Sequence, residues 1–303
     1  MTDGKRLTTP RKVLVGASGV LLLAAAGPLA AAQASPGGSA AASCSISGTY
    51  WNDGEGTGHG DGRFQSDEPG VEGASVRLLH ADGSPVRGGR AHTTTDAEGR
   101  YRFAQLPCGG YRVEFTAGDN FQFTTAGAGP ARTSSAAIPR SGDGTAGVTD
   151  VQTVGGGRPT SRGHVNAGVL QAESGTLQAI GDRVWNDRNG NGRQDAGEKG
   201  VPGVTVTLLK SDGGAPDGAG TVRTNADGRF LFTALDIGSY HLRFSGLPKG
   251  HRFTKPKAAD NKADSDARPT GQDATSADTD DVELGSTPHP TVDRDVDAGL
   301  RKR

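Results

Sequence analysis

Between Asp187 and Glu198 the chain reads Asp-Arg-Asn-Gly-Asn-Gly-Arg-Gln-Asp-Ala-Gly-Glu, with oxygen-bearing side chains at loop positions 1, 3, 5, 9 and 12 and glycine at position 6. This spacing suits a hard divalent cation. Ca²⁺ takes about six to eight oxygens at about 2.3–2.6 Å, so alternate side chains must converge while the chain turns sharply at the glycine. Asp187, Asn189 and Asn191 are expected to give one oxygen each, Arg193 its carbonyl, Asp195 a direct or water-mediated contact, and Glu198 both carboxylate oxygens. Three carboxylates in one loop repel each other without a cation, so Ca²⁺ is expected to order the loop and brace whatever carries it. The flanking sequence has strand periodicity rather than helical periodicity, which argues against a sensor that works by opening a helix pair.

The loop sits inside a repeat. Trp51-Asn52-Asp53 recurs as Trp185-Asn186-Asp187, Val76-Arg77-Leu78-Leu79 as Val206-Thr207-Leu208-Leu209, and Gly99 to Phe103 as Gly228 to Phe232. The copies close on Asn166-Ala167-Gly168-Val169 and Asp297-Ala298-Gly299-Leu300. Apolar residues alternate within each copy, as in Tyr111/Val113/Phe115 and Tyr240/Leu242/Phe244, the period of a half-buried strand. Asp82-Gly83, Glu98-Gly99, Asp212-Gly213 and Asp227-Gly228 supply tight turns. The pattern predicts an all-β protein: two tandem antiparallel β-sandwiches, Ig-like or prealbumin-like, over 44–170 and 180–300, joined by a linker over 171–179. Pro130 to Pro159, rich in Ser, Gly and Thr, reads as a long polar loop within the first copy. Trp51 and Trp185 read as core anchors.

Composition excludes several classes. A 33% hydrophobic content with 49 glycines in 303 residues favours small cores and many turns over one large enzyme core. Net charge is −1 and Lys and Arg form no stripe, so no footprint for nucleic acid is visible. Residues 1–34 read as a cleaved signal peptide, with Lys5, Arg6, Arg11 and Lys12 before the apolar run Val13–Ala32, and 35–43 as a flexible segment. No later run reaches spanning length and no LPxTG-like signal is seen, so the expectation is a soluble, monomeric, extracellular product, with cell-wall association as a second location.

The first copy breaks the loop spacing. Four extra residues lie between Asp53 and Glu68, and although Asp53, Glu55, Asp61, Asp67 and Glu68 remain, calcium there stays open. That copy instead holds Cys44 and Cys108, the only cysteines in the chain, which an oxidising compartment is expected to join.

The second copy resembles the SdrD-type B domains of bacterial surface proteins, through Ile180 to Trp185, the loop, Gly203 to Val206, Asp227 to Phe230, Asp264-Ser265-Asp266 and Asp297-Ala298-Gly299. The first copy resembles them less closely, lacking the Asp-Ser-Asp element. The resemblance implies a calcium-rigidified sandwich used as a stalk or spacer, and further calcium ligands, for which Asp264 and Asp266, with Asp260, are the candidates. Pilin-type relatives join a Lys to an Asn or Asp by an isopeptide bond; no lysine lies between Lys12 and Lys199, and Arg183 occupies the opening strand of the second copy, so no such bond is expected.

The leading functional expectation is therefore a secreted structural or adhesive protein with an unidentified extracellular or cell-wall partner. A carbohydrate- or matrix-binding module is the alternative, although 5% aromatic residues leave few for a sugar platform once the cores are filled. A hydrolase is the third class, and the scattered histidines sit in no HExxH or GxSxG context.

Overall fold

The structure, a computed structural model, describes residues 43–54, 60–118, 121–140, 145–171, 178–256, 263–271, 275–285 and 292–303. The expected signal peptide, all but Ser43 of the flexible segment, most of the linker, Glu55 and Asp260 lie outside them. All regular elements among the described residues are strands. The first half forms β1 (Cys44–Asn52), β2 (Ser75–His80), β3 (His92–Thr94), β4 (Arg100–Leu106), β5 (Gly109–Thr116), β6 (Phe121–Phe123), β7 (Ile138–Pro139), β8 (Ala146–Val148), β9 (Gln152–Val154), β10 (Ser161–Arg162) and β11 (Ala167–Gln171). The second forms β12 (Ala179–Asn186), β13 (Thr205–Lys210), β14 (Thr221–Arg223), β15 (Arg229–Phe232), β16 (Gly238–Ser245), β17 (His251–Phe253), β18 (Arg268–Pro269), β19 (Ala277–Asp278), β20 (Val282–Leu284), β21 (Val292–Asp293) and β22 (Ala298–Lys302).

Each half is a sandwich. One sheet runs β3-β2-β5-β8-β7 in the first half and β14-β13-β16-β19-β18 in the second. The facing sheet runs β10-β1-β11-β6 with β4 on β1, and β15-β12-β22-β17 with β21 on β12. The alternation in the sequence becomes the inward faces: Tyr111, Val113 and Phe115 are buried on β5, as are Tyr240, Leu242 and Phe244 on β16. The antiparallel series is closed by parallel pairings, Tyr50 to Asn52 with Ala167 to Val169 and Val184 to Asn186 with Ala298 to Leu300. A closing strand that returns from the other sheet runs alongside the first in the same direction, which a crossover allows and a hairpin does not.

This pairing explains the repeated Ala-Gly. A Cβ on Gly168 would stand 2.7 Å from Trp51 Cζ2, and one on Gly299 2.9 Å from Trp185 Cζ2, so each glycine lets a fully buried indole lie against the closing strand. Both tryptophans are core anchors.

The expected long loop over Pro130 to Pro159 is corrected by the structure: β7, β8 and β9 lie within it, and β8 and β9 pair with β5. Short strands of Ala, Gly, Gln and Thr leave no hydrophobic periodicity to read, yet their backbone groups complete the sheet. Cys44 and Cys108 form a disulfide with 5.3 Å between Cα atoms, tying the start of β1 to the turn before β5.

The two sandwiches also share buried contacts. Thr233 N–H donates to Thr125 Oγ1 at 3.1 Å and Thr233 Oγ1 donates to the Phe123 carbonyl at 2.8 Å. Ala126 and Ile138 pack with Ala179 and Leu231, and Ala128 joins the core cluster of the second sandwich. Arg112 pairs with Asp227 at 2.8 Å beside this seam.

Candidate metal centre

The loop after β12 is wound by its own side chains. Asp187 is 1% exposed: its Oδ1 accepts from Gly190 N–H at 2.7 Å, and its Oδ2 accepts from Gly192 N–H at 2.8 Å and from the Thr254 hydroxyl. Asn189 Oδ1 accepts from Asn191 N–H at 3.0 Å and Asn191 Oδ1 from Arg193 N–H at 2.7 Å, each turning the chain by two residues. Gly190 and Gly192 take φ of 73° and 81°, a region open to glycine at no steric cost. Glu198 closes the loop, accepting from Arg188 N–H at 2.8 Å and Asp195 N–H at 3.1 Å.

Three of the expected ligands meet directly: the Asn189 and Asn191 amides each donate to Asp195 Oδ2 at 2.8 Å. These two hydrogen bonds hold the Asp195 carboxyl below its ordinary range. Among the described residues no three His, Cys, Asp or Glu side chains close on one point. The donor set nevertheless fits Ca²⁺ in type and order, with oxygen at each of the five side-chain positions and a glycine turn between them.

The Asp-Ser-Asp element docks on this loop through its backbone. Arg193 bridges Asp264, Gln194 N–H donates to the Ala263 carbonyl at 2.6 Å, and Ser265 N–H donates to the Gly192 carbonyl at 3.1 Å. Asp266 turns towards the closing strand, where its Oδ2 accepts from Asp297 N–H at 2.9 Å. The structure thus places Asp264 beside the loop and Asp266 beside Asp297.

Asp297 is a residue that sequence reasoning took only as part of a closing motif. It is 1% exposed; its Oδ1 accepts from Arg183 N–H at 3.0 Å, and its Oδ2 is a buried atom with no hydrogen-bond partner. Burial, reinforced by the Asp182, Asp266 and Asp295 carboxylates, pushes it up to about 9. An acidic residue closing a copy where the other has Asn166 was the available signal.

The loop of the first sandwich is built the same way, which its spacing had concealed. Asp53 Oδ2 accepts from Gly62 N–H at 2.8 Å and from the Thr124 hydroxyl, Asp61 Oδ1 from Arg63 N–H at 2.8 Å, and Glu68 Oε2 from Gln65 N–H at 2.6 Å. Arg63 bridges Ser134, and Ser135 N–H donates to the Gly62 carbonyl at 3.0 Å. The extra residues therefore precede Gly60, and Gly60 to Glu68 run in step with Gly190 to Glu198. Ser134, Ala136 and Asn166 stand where the second sandwich has Asp264, Asp266 and Asp297, so three carboxylates are gone. Burial and the neighbouring Asp53 and Asp61 push Glu68 up to about 8, and burial also raises Asp53.

Comparison with known proteins gives the family of the chain. The profile described as SdrD B-like domain matches residues 44–159 and 178–300. Serine-aspartate repeat-containing protein C of Staphylococcus aureus strain N315 is 32% identical over 228 residues, 74% of this chain and 21% of that protein. Bone sialoprotein-binding protein of Staphylococcus aureus is 32% identical over 224 residues, 74% of this chain and 17% of that protein. The chain spans about a fifth of the length of these curated relatives. The solved structure of GBS52, the minor pilin of Streptococcus agalactiae, is similar at 14% identity over 86% of this chain and 97% of that one, with a TM-score of 0.27. With two matched segments that together cover well over half of the chain, the chain belongs to the SdrD B-like domain family.

Proposed function

We propose that the chain is the calcium-braced structural part of a secreted surface protein, acting as a stiff spacer or adhesive module and not as an enzyme. The observation that carries this reading is the seam between the sandwiches, where the Thr125, Thr233 and Phe123 hydrogen bonds are buried and Ala128 enters the neighbouring core. Two domains that share buried polar bonds and apolar packing resist bending, which a spacer needs and a free linker does not give. The loop from Asp187 to Glu198, with Asp264 against it, is the proposed Ca²⁺ site, and Ca²⁺ there would tie the loop after β12 to the segment before β18. Relatives named for serine-aspartate repeats and for binding bone sialoprotein support an extracellular or cell-wall location and an extracellular partner.

The test is small-angle X-ray scattering with a parallel thermal melt, in Ca²⁺ and in EDTA. The reading expects one elongated, concentration-independent particle in Ca²⁺, with a lower melting temperature in EDTA. A bent, flexible ensemble in Ca²⁺, or melts that coincide, would count against it.

A further inference from the structure

Two short basic segments meet at one edge of the second sandwich. Lys249, His251, Arg252 and Lys255 belong to the first, Arg301 and Lys302 to the second, and no Asp or Glu occurs between Asp236 and Asp260 or among residues 298–303. Neither segment is long enough to stand out as a stripe in the sequence. The pairing of the edge strand β17 with β22 joins them, setting Arg252 directly opposite Arg301 and His251 opposite Lys302. Directly opposite residues of an antiparallel pair share a face, and like charges placed so are destabilising. The first sandwich has Gln122 opposite Leu170 at this point, so the basic pair is not a requirement of the repeat.

Elsewhere the arginines of the outer faces are neutralised: Arg77 and Arg140 clamp the buried Glu114, Arg243 pairs with Asp278 and Arg268 with Asp280. Here they are not. Among the described residues the side chains of Arg188, Arg252, Arg301 and Lys302 make no ion pair or hydrogen bond, and the Nε atoms of Arg252 and Arg301 are buried without a partner. Arg301 reaches over the loop after β12, where a Cβ on Gly190 would stand 3.8 Å from its Nη1. Between them lies a cleft of about 370 Å³, lined by Asn186 to Gly190, Arg301 and Lys302. The one carboxylate lining it, Asp187, is 1% exposed and already accepts from the Gly190 and Gly192 amides and the Thr254 hydroxyl. The other loop carboxylates are engaged elsewhere, Asp195 by the Asn189 and Asn191 amides and Glu198 by the Arg188 and Asp195 N–H groups. Four cations therefore stand against one carboxylate.

Guanidinium N–H groups withdrawn from water cost free energy until an acceptor meets them. A carboxylate brings one charge and two oxygens, whereas a phosphate monoester brings close to two negative charges and three acceptor oxygens at neutral pH, and it matches the guanidinium fork in geometry. No aromatic ring lines the cleft and Phe253 is buried, which leaves nothing for a nucleobase to stack on. We infer that the cleft between the loop after β12 and β22 is an anion site for a dianionic phosphate group, free or as a small monoester, held by Arg301, Arg188 and Lys302 with Arg252 beside them. The anion would relieve the opposition of Arg252 and Arg301 and tie the closing strand to the loop.

Isotope-labelled full-length chain would be titrated at constant ionic strength with inorganic phosphate, with glycerol 3-phosphate and with acetate, keeping Ca²⁺ below the solubility limit of its phosphate salts. Both phosphates are expected to shift the amide resonances of Arg188, Gly190 and Arg301 saturably, and the tighter of the two identifies the free anion or the monoester as the natural form. Acetate is expected to bind about ten-fold more weakly or worse, and Arg301→Gln to weaken phosphate by a similar factor. Without phosphate, Arg301→Gln is expected to melt no lower than the parent, because it removes a like-charge opposition. Arg252→Gln, which installs the residue found at this place in the first sandwich, carries the same comparison if Arg301→Gln disturbs the fold. No saturable shift, acetate binding as tightly as phosphate, or phosphate affinity unchanged in the folded variant would each overturn the inference.

Discussion

Thr233 and Thr125 hold each other across the seam between the sandwiches, the amide of the first donating to the hydroxyl of the second at 3.1 Å with the two residues 5% and 2% exposed. The Thr233 hydroxyl in turn satisfies the Phe123 carbonyl. Each sandwich supplies a donor or acceptor that would otherwise be buried without a partner, so the seam is specified by bond pairing as well as by packing.

Replacing Thr233 by valine keeps the shape and strands the Phe123 carbonyl, at a cost of about 1–3 kcal/mol. Because that cost falls on the contact between the halves, calorimetry is expected to turn one cooperative transition into two overlapping ones. Ala104→Ser, at the corresponding place on the open side of the first sandwich, is expected to leave the melt unchanged.

Calcium removal is expected to act on the second sandwich first. Extracellular sites of this kind bind with Kd of roughly 10⁻⁴ to 10⁻³ M, so 100-fold excess over Kd stabilises by about 2.7 kcal/mol. Adding Ca²⁺ to EDTA-treated protein should raise the melting temperature, and Glu198→Gln, which replaces one of the two expected carboxylate oxygens with an amide nitrogen, should remove most of that rise. A calcium-dependent shift that survives in Glu198→Gln would move the site elsewhere.

The disulfide acts on the first sandwich. Cys44 and Cys108 are 64 residues apart, and closing a loop of that length contributes on the order of 4 kcal/mol on the chain-entropy estimate. The Cys44→Ser, Cys108→Ser double variant is expected to lower the melting temperature of the joint transition in Ca²⁺ and in EDTA alike. A melting temperature equal to the parent's in both conditions would count against this contribution.

Alternating residues with strong side chains made the long strands legible: Tyr240 to Phe244 turn inward and outward as their chemistry dictates, and on β5 Tyr111, Val113 and Phe115 turn inward while Glu114 is buried on the other face under Arg77 and Arg140. Short strands such as β8, Ala-Gly-Val, carry no such signal, because backbone pairing alone forms them. The loop from Asp187 to Glu198 was legible because its donors are local in sequence. Its twin was not, since extra residues before Gly60 shift every later position without changing the bonds that Gly62, Gln65 and Glu68 make. The seam was invisible for a different reason: no local pattern around Thr125 or Thr233 marks hydroxyls that the fold sets face to face.

The last expectation concerns Asp297 and pH. An aspartate in the unfolded chain titrates near 3.9, whereas burial and the surrounding carboxylates push Asp297 up to about 9 in the fold. A carboxyl raised on folding contributes stability that is fully present below its unfolded value and is lost as pH rises through its folded one. Without a cation, the second sandwich should therefore lose on the order of a few kcal/mol between about pH 4 and pH 9. Glu68, raised to about 8, imposes the same sign on the first sandwich, so a slope alone does not isolate Asp297. Asp297→Asn does: Asn166, its counterpart, accepts from Thr49 N–H at 3.0 Å and donates to the Arg132 carbonyl at 3.0 Å without a charge to desolvate. In EDTA the variant is expected to melt higher than the parent at pH 8 and to match it near pH 4. A parent slope that persists unchanged in Asp297→Asn would assign the titration to another group.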